Sequence, residues 1–179
     1  SSVGDTFPNA TDITSRGGRT GIDWSDERHR MLTGDFDGDG KTDLLLQGVI
    51  QTQIGGVSTD TLLWRSSAQA WANVTAGDDS ELRLWNFQQS VAIAADFDDD
   101  GKSDVLLLSV DSTTAPRLMK SNGDGTFTAR FIHGGAMGSE EWALSYATIT
   151  GLHRRTPIPG DFDGDGLLDV LMQANDPTQ

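Results

Sequence analysis

The sequence predicts an all-β protein assembled from three related units. Three observations carry that prediction. An aspartate-rich segment occurs three times, as DFDGDGKTDLLL from Asp35, DFDDDGKSDVLLL from Asp96 and DFDGDGLLDVLM from Asp161, at spacings of 61 and 65 residues. Short apolar runs bounded by Gly and Asp flank every copy, the pattern of buried strands between turns. Of 27 acidic residues 23 are Asp and 4 are Glu, alongside 21 Gly, which is a composition of turns rather than of acidic helices.

The strands follow in chain order. Met31–Leu32 and Leu44–Leu46 bracket the first loop, and Thr61–Arg65 and Ala70–Thr75 supply two further strands. In the second unit Val91–Ala95 and Val105–Leu108 bracket the loop, followed by Arg117–Lys120 and Thr126–Ile132. Between the last two lies Ser121-Asn122-Gly123-Asp124-Gly125, whose Asn-Gly and Asp-Gly pairs accept positive φ and so favour a hairpin. The third unit offers Ile158–Phe162 and Asp169–Gln173 around its loop and then stops. Ser139–Thr150 reads equally as a helical turn capped by Ser139 or as a strand. Trp24 and Trp85 each stand eleven residues before the first Asp of their loop, whereas Trp142 stands nineteen before Asp161, so the third unit carries an insertion or a shifted register. The units are therefore 24–84, 85–149, and 150–179 completed by 1–23, all within a single repeat domain 1–179. Four short strands per ~60 residues is the sequence form of a β-propeller blade, and the fold class expected is about three four-stranded blades.

Each loop has Asp at positions 1, 3, 5 and 9 and Gly at 6. That spacing suits a hard cation: Ca²⁺ collects ~6–8 oxygens, and alternate side chains of a tight loop converge when a Gly permits the sharp turn. The first ligand set is Asp35, Asp37, Asp39 and Asp43 with the carbonyl of Lys41. The second is Asp96, Asp98, Asp100 and Asp104 with the Lys102 carbonyl, and the third Asp161, Asp163, Asp165 and Asp169 with the Leu167 carbonyl. Gly40, Gly101 and Gly166 make the turns. An EF-hand would require Glu at position 12 and flanking helices, but position 12 is Leu46, Leu107 or Met172 within an apolar run. As mere solvated turns, the loops would hold four carboxylates together against their mutual repulsion. Three Ca²⁺ ions would change the formal charge from −14 to −8.

Other chemistry is excluded or weakly signalled. The net charge argues against nucleic acid and anionic membranes as partners. With no cysteine there is no disulfide, thiolate site or Cys nucleophile. No run reaches the ~18 apolar residues of a membrane helix, and Ser1–Asp5 lacks the basic-then-apolar pattern of a secretion signal, so the chain reads as a soluble, mature or excised segment. No nucleophile elbow, P-loop or dinucleotide motif occurs; Glu140–Glu141 read as a solvated turn, and His29, His133 and His153 as surface or loop residues. Trp24 and Trp85 are expected in the core between units. Trp64, Trp71 and Trp142 are carbohydrate-stacking candidates for which burial is the simpler reading. Asn9 and Asn73 stand in glycosylation sequons, which matter only in a secreted eukaryotic protein.

On residues 35–46, 96–108 and 161–172, and on SNGDGTF at 121–127, the sequence resembles the FG-GAP and VCBS repeats, the family that includes integrin α-chain propellers. The resemblance implies a calcium-loaded β-propeller blade in which the loop joins the first two strands. Asp99 departs from the family pattern, which has Gly at position 4; a side chain pointing to solvent would be tolerated. The function expected is an extracellular, non-enzymatic calcium-binding module that presents a surface to glycan or protein. The alternatives are a purely structural scaffold and the propeller part of a polysaccharide-degrading enzyme. Three units leave open sheet faces, so a homodimer or a place in a larger propeller is expected.

Overall fold

The computed structural model describes residues 29–48, 57–75, 86, 89–110, 116–132, 145–148 and 151–174. They are all-β, and every strand pairing is antiparallel. The first sheet has the order β1 (His29–Gly34), β2 (Asp43–Gly48), β3 (Val57–Arg65), β4 (Ala70–Thr75). The second repeats it with β5 (Ser90–Ala95), β6 (Asp104–Ser109), β7 (Arg117–Ser121) and β8 (Phe127–Phe131). In the third, β10 (Gly151–Gly160) lies between β11 (Asp169–Ala174) and β9 (Ser145–Thr148). β10 changes partner midway: Gly151–Arg154 pair with β9 and Arg155–Gly160 with β11. The open stretch Ser139–Thr150 is thus a strand over Ser145–Thr148. His29 and His153 stand in strands rather than loops. His133, Trp24, Trp85, Trp142, Glu140–Glu141 and Asn9 lie outside the described residues.

Because side chains alternate along a strand, an unbroken apolar run marks a strand covered on both faces. Leu45 points to one side of β2, where it joins Phe36, Leu63 and Val74 against Val105, Leu107, Met119 and Phe127 of the second sheet. Phe36 and Phe127 meet edge to face, with centroids 6.1 Å apart. On the far side of the second sheet Leu106 and Leu108, with Phe97 and Ile93, pack against Val170 and Met172 of β11. The second sheet therefore lies between the other two. Leu44, Leu46, Leu62, Trp64 and Trp71 fill the opposite face of the first sheet; the two tryptophan rings lie 5.4 Å apart and are buried, as the simpler reading had it.

The loops between β1 and β2 and between β5 and β6 clasp one another. The Ser103 N–H donates to the Asp35 carbonyl at 2.6 Å, the Asp35 N–H donates to Ser103 Oγ at 3.1 Å, and Ser121 Oγ donates to the Phe36 carbonyl at 2.6 Å. Gly34 allows this approach: a Cβ there would lie 2.7 Å from Ser103 Cβ.

Candidate metal centres

Position 1 of each loop organises the turn. Asp35 Oδ1 accepts from the N–H groups of Gly38 and Asp39, at 2.8 and 3.1 Å, and its Oδ2 accepts from Gly40 at 2.7 Å. Asp96 takes the N–H groups of Asp100 and Gly101, and Asp161 those of Gly164 and Gly166. The chain can bend this tightly because positions 4 and 6 are both left-handed: φ is +77° and +81° at Gly38 and Gly40, and +80° and +90° at Gly164 and Gly166. Asp99 holds position 4 of the second loop at φ +56°, exposed to solvent. The departure from Gly is thus a matter of backbone as well as of side-chain direction, and Asp is among the few residues that accept that region.

Position 5 is turned toward position 7, whose N–H donates to it: Lys41 to Asp39 at 2.9 Å, Lys102 to Asp100 at 3.0 Å, and Leu167 to Asp165 at 2.8 Å. The Lys41 ammonium also meets Asp39 at 2.9 Å, holding that carboxyl below the usual range and its own pKa above. Position 9 ties the loop to its sheet. Asp43 Oδ1 accepts from the Ser66 N–H at 2.7 Å just beyond β3, and its Oδ2 accepts from Phe36 at 3.1 Å. Asp104 Oδ1 accepts from the Ser121 N–H at 2.9 Å, and Asp169 Oδ2 from Phe162 at 3.1 Å. Burial pushes the Asp43 and Asp104 carboxyls up, the neighbouring N–H groups opposing it.

The carboxylates converge three at a time. One oxygen from each of Asp35, Asp37 and Asp39 lies within 4.8 Å of the others, as in Asp96, Asp98 and Asp104 and in Asp161, Asp163 and Asp169. Asp43, Asp100 and Asp165 stand beside these clusters, engaged as described. Among the described residues three carboxylate oxygens are buried without a hydrogen-bond donor: Asp37 Oδ1, Asp98 Oδ1 and Asp104 Oδ2. A buried carboxylate oxygen with no donor is costly, and a cation between the converging groups would offset that cost. This donor set, hard oxygens on a tight loop, fits Ca²⁺.

Residues 96–172 match the FG-GAP-like repeat. The resemblance read in the loops is shown there, over the second and third loops with the hairpin between them. The first loop, outside that segment, has the same left-handed positions and the same position-9 anchor. In that hairpin Asp124 Oδ1 accepts from Thr126 N–H and Oγ1, at 2.9 and 2.6 Å, which lowers its pKa. A solved structure that shares the fold is that of an Agrocybe aegerita lectin, described by its specific recognition of non-reducing terminal N-acetylglucosamine. The TM-score is 0.51 at 17% identity, over 80% of this chain and 32% of the lectin, so the chain spans about a third of that protein's length. No curated protein matches the sequence.

Several residues around the loops escape the loop pattern. Ser66 and Ser121 act through backbone N–H groups, and Ser67 Oγ donates to Asp37 Oδ2 at 2.8 Å. Lys120, on β7, meets both Asp98 and Asp100. Aligning RSS at 65–67 with KSN at 120–122 would have located the two serines.

Proposed function

We propose that the chain is a calcium-binding segment of a β-propeller that presents a binding surface outside the cell and has no catalytic role. The observation that carries this is the threefold convergence of Asp carboxylates, with buried oxygens lacking donors, on loops of the FG-GAP-like type. The ligands would be Asp35, Asp37, Asp39 and Asp43, then Asp96, Asp98, Asp100 and Asp104, then Asp161, Asp163, Asp165 and Asp169, each set with the carbonyl of Lys41, Lys102 or Leu167. The ion would neutralise carboxylates that otherwise repel, locking the first two strands of each sheet. Weak Asp-rich sites suit the roughly millimolar affinities of extracellular modules, which supports the location. In thermal unfolding and calorimetry, calcium is expected to bind at three sites and to stabilise the fold by about 2.7 kcal/mol per site at a hundredfold excess over Kd. A melting temperature indifferent to EDTA overturns the reading.

The lectin fold supports carbohydrate as the ligand class, and an array that includes terminal N-acetylglucosamine tests it. Burial of Trp64 and Trp71 removes two candidate stacking faces and favours the second reading, a scaffold without a ligand of its own. For assembly, the outer face of the third sheet exposes Ile158, Phe162 and Leu171. They correspond to Leu32, Phe36 and Leu45, which pack on the second sheet. A further sheet of the same kind, from a second copy or from the rest of a longer chain, would cover them, and light scattering in calcium reports the mass.

A further inference from the structure

The three loops differ in the cations that the protein itself brings to them. Among the described residues no lysine or arginine pairs with Asp161, Asp163, Asp165 or Asp169, and the first loop has Lys41 on Asp39 alone. The second loop has two ammonium groups. Lys102 meets Asp100 Oδ2 at 2.7 Å, and Lys120 reaches in from β7 to the same oxygen at 2.9 Å and to Asp98 Oδ2.

Strand register places Lys120 there. Met119 pairs with Val105 as Trp64 pairs with Leu44, so Lys120 occupies the position of Arg65 in the first sheet. The next residue in each case, Ser121 or Ser66, donates its N–H to the position-9 aspartate. At the first site the oxygen equivalent to Asp98 Oδ2 is Asp37 Oδ2, and it receives the neutral hydroxyl of Ser67 instead. The Lys120 side chain is an ammonium at neutral pH, as an ordinary lysine is. Lys120 leaves two oxygens of this cluster buried and without a donor, Asp98 Oδ1 and Asp104 Oδ2; Asp104 itself is fully buried. One ammonium therefore answers part of the charge that a divalent ion would answer in full.

We propose that Lys120 is a tethered counter-ion of the second loop: it competes with the divalent ion for Asp98 and Asp100, makes this the weakest of the three calcium sites, and holds the loop together when calcium is scarce. This rests on the calcium reading above. For calcium to take Asp98 and Asp100, Lys120 must release both. The released ammonium regains water, so the net handicap is about that of one charge-assisted hydrogen bond, about a tenfold change in affinity.

The test is Lys120→Met, with Lys120→Arg as the charge-preserving control, in calcium calorimetry and in thermal unfolding with EDTA and with saturating calcium. The wild-type chain should show two tighter ions and one weaker. Lys120→Met should tighten the weak class about tenfold and lower the melting temperature in EDTA but not in calcium, while Lys120→Arg keeps the wild-type pattern. Unchanged or weakened calcium binding in Lys120→Met overturns the proposal, as does an equal loss of melting temperature in both conditions. Should the wild-type chain bind no calcium, the calcium reading fails by itself. Unfolding in EDTA then judges the counter-ion role alone: a lower melting temperature for Lys120→Met, restored by Lys120→Arg, upholds it, and no difference overturns it.

Discussion

The first and third loops begin with the same six residues, DFDGDG, and fold to the same turn, yet their second residue meets opposite fates. Phe36 is fully buried against Phe127, while Phe162 is 55% exposed. Leu45 and Leu171, two residues into the following strands, differ in the same way, at 0% and 51%. The turn is therefore specified locally, by Asp carboxylates on nearby N–H groups and by left-handed glycines. Burial is specified by the neighbouring sheet: the first loop leans on the second sheet, and the described residues place nothing over the third.

The widest separation between the two loops is expected from their phenylalanines. Phe36→Ala should cost about 3–5 kcal/mol in denaturant unfolding, as a large aromatic removed from a packed core does, whereas Phe162→Ala should stay within about 0.5 kcal/mol. Equal losses would mean that Phe162 is covered in solution. If a further sheet docks on the third, Phe162→Ala should instead reduce the assembled mass in light scattering while leaving the melting of the single chain unchanged.

A smaller contrast is expected at position 9. Asp43→Ala strands the buried N–H of Phe36, a loss of about 1–3 kcal/mol, and the part-buried N–H of Ser66, which adds less. Asp169→Ala strands the N–H of Phe162, which is exposed and can turn to water, so its loss should be well under that of Asp43→Ala. Both are measured in EDTA, where metal binding plays no part. A cost at Asp169 equal to that at Asp43 would contradict the part that burial by the second sheet plays in this difference.

The smallest effect is at position 4. Asp99→Gly relieves a side chain from left-handed backbone and should raise stability by about 0.5 kcal/mol or less. Gly38→Ala should act in the opposite sense, because its Cβ would come within 2.9 Å of Lys102 Cγ besides being strained.

The strands that flank the loops, the hairpin at Ser121–Phe127 and the convergence of Asp side chains were legible because each depends on residues close in sequence. Leu44–Leu46 and Val105–Leu108 signalled burial on both faces for the same reason. What could not be read depends on register across strands. Lys120 reaches Asp98 through the pairing of β7 with β6, and no spacing along the chain announces that. Position 9 read as a metal ligand; its second task, holding Ser66 or Ser121, appears only when β3 or β7 is placed beside it. The need for left-handed backbone at position 4 was hidden by Asp99, which meets it without being glycine. The pairing of Trp64 with Trp71 follows from the β3 to β4 register, and their candidacy as sugar platforms ended there.

The position-2 phenylalanine gives the stack a direction. Phe36 points from the first sheet into the second, and Phe97 from the second toward the third, so each sheet has a giving face and a receiving face and the succession has a head and a tail. The receiving face of the first sheet, built on Leu44, Leu46, Trp64 and Trp71, is already buried, while the giving face of the third is open. Contacts of this kind are heterologous: giving face meets receiving face, never its own copy, and such contacts either close into a ring or continue as a filament. Each sheet added to the tail exposes a new tail, so the addition ends only where a tail meets the receiving face at the head of the succession and shuts the ring.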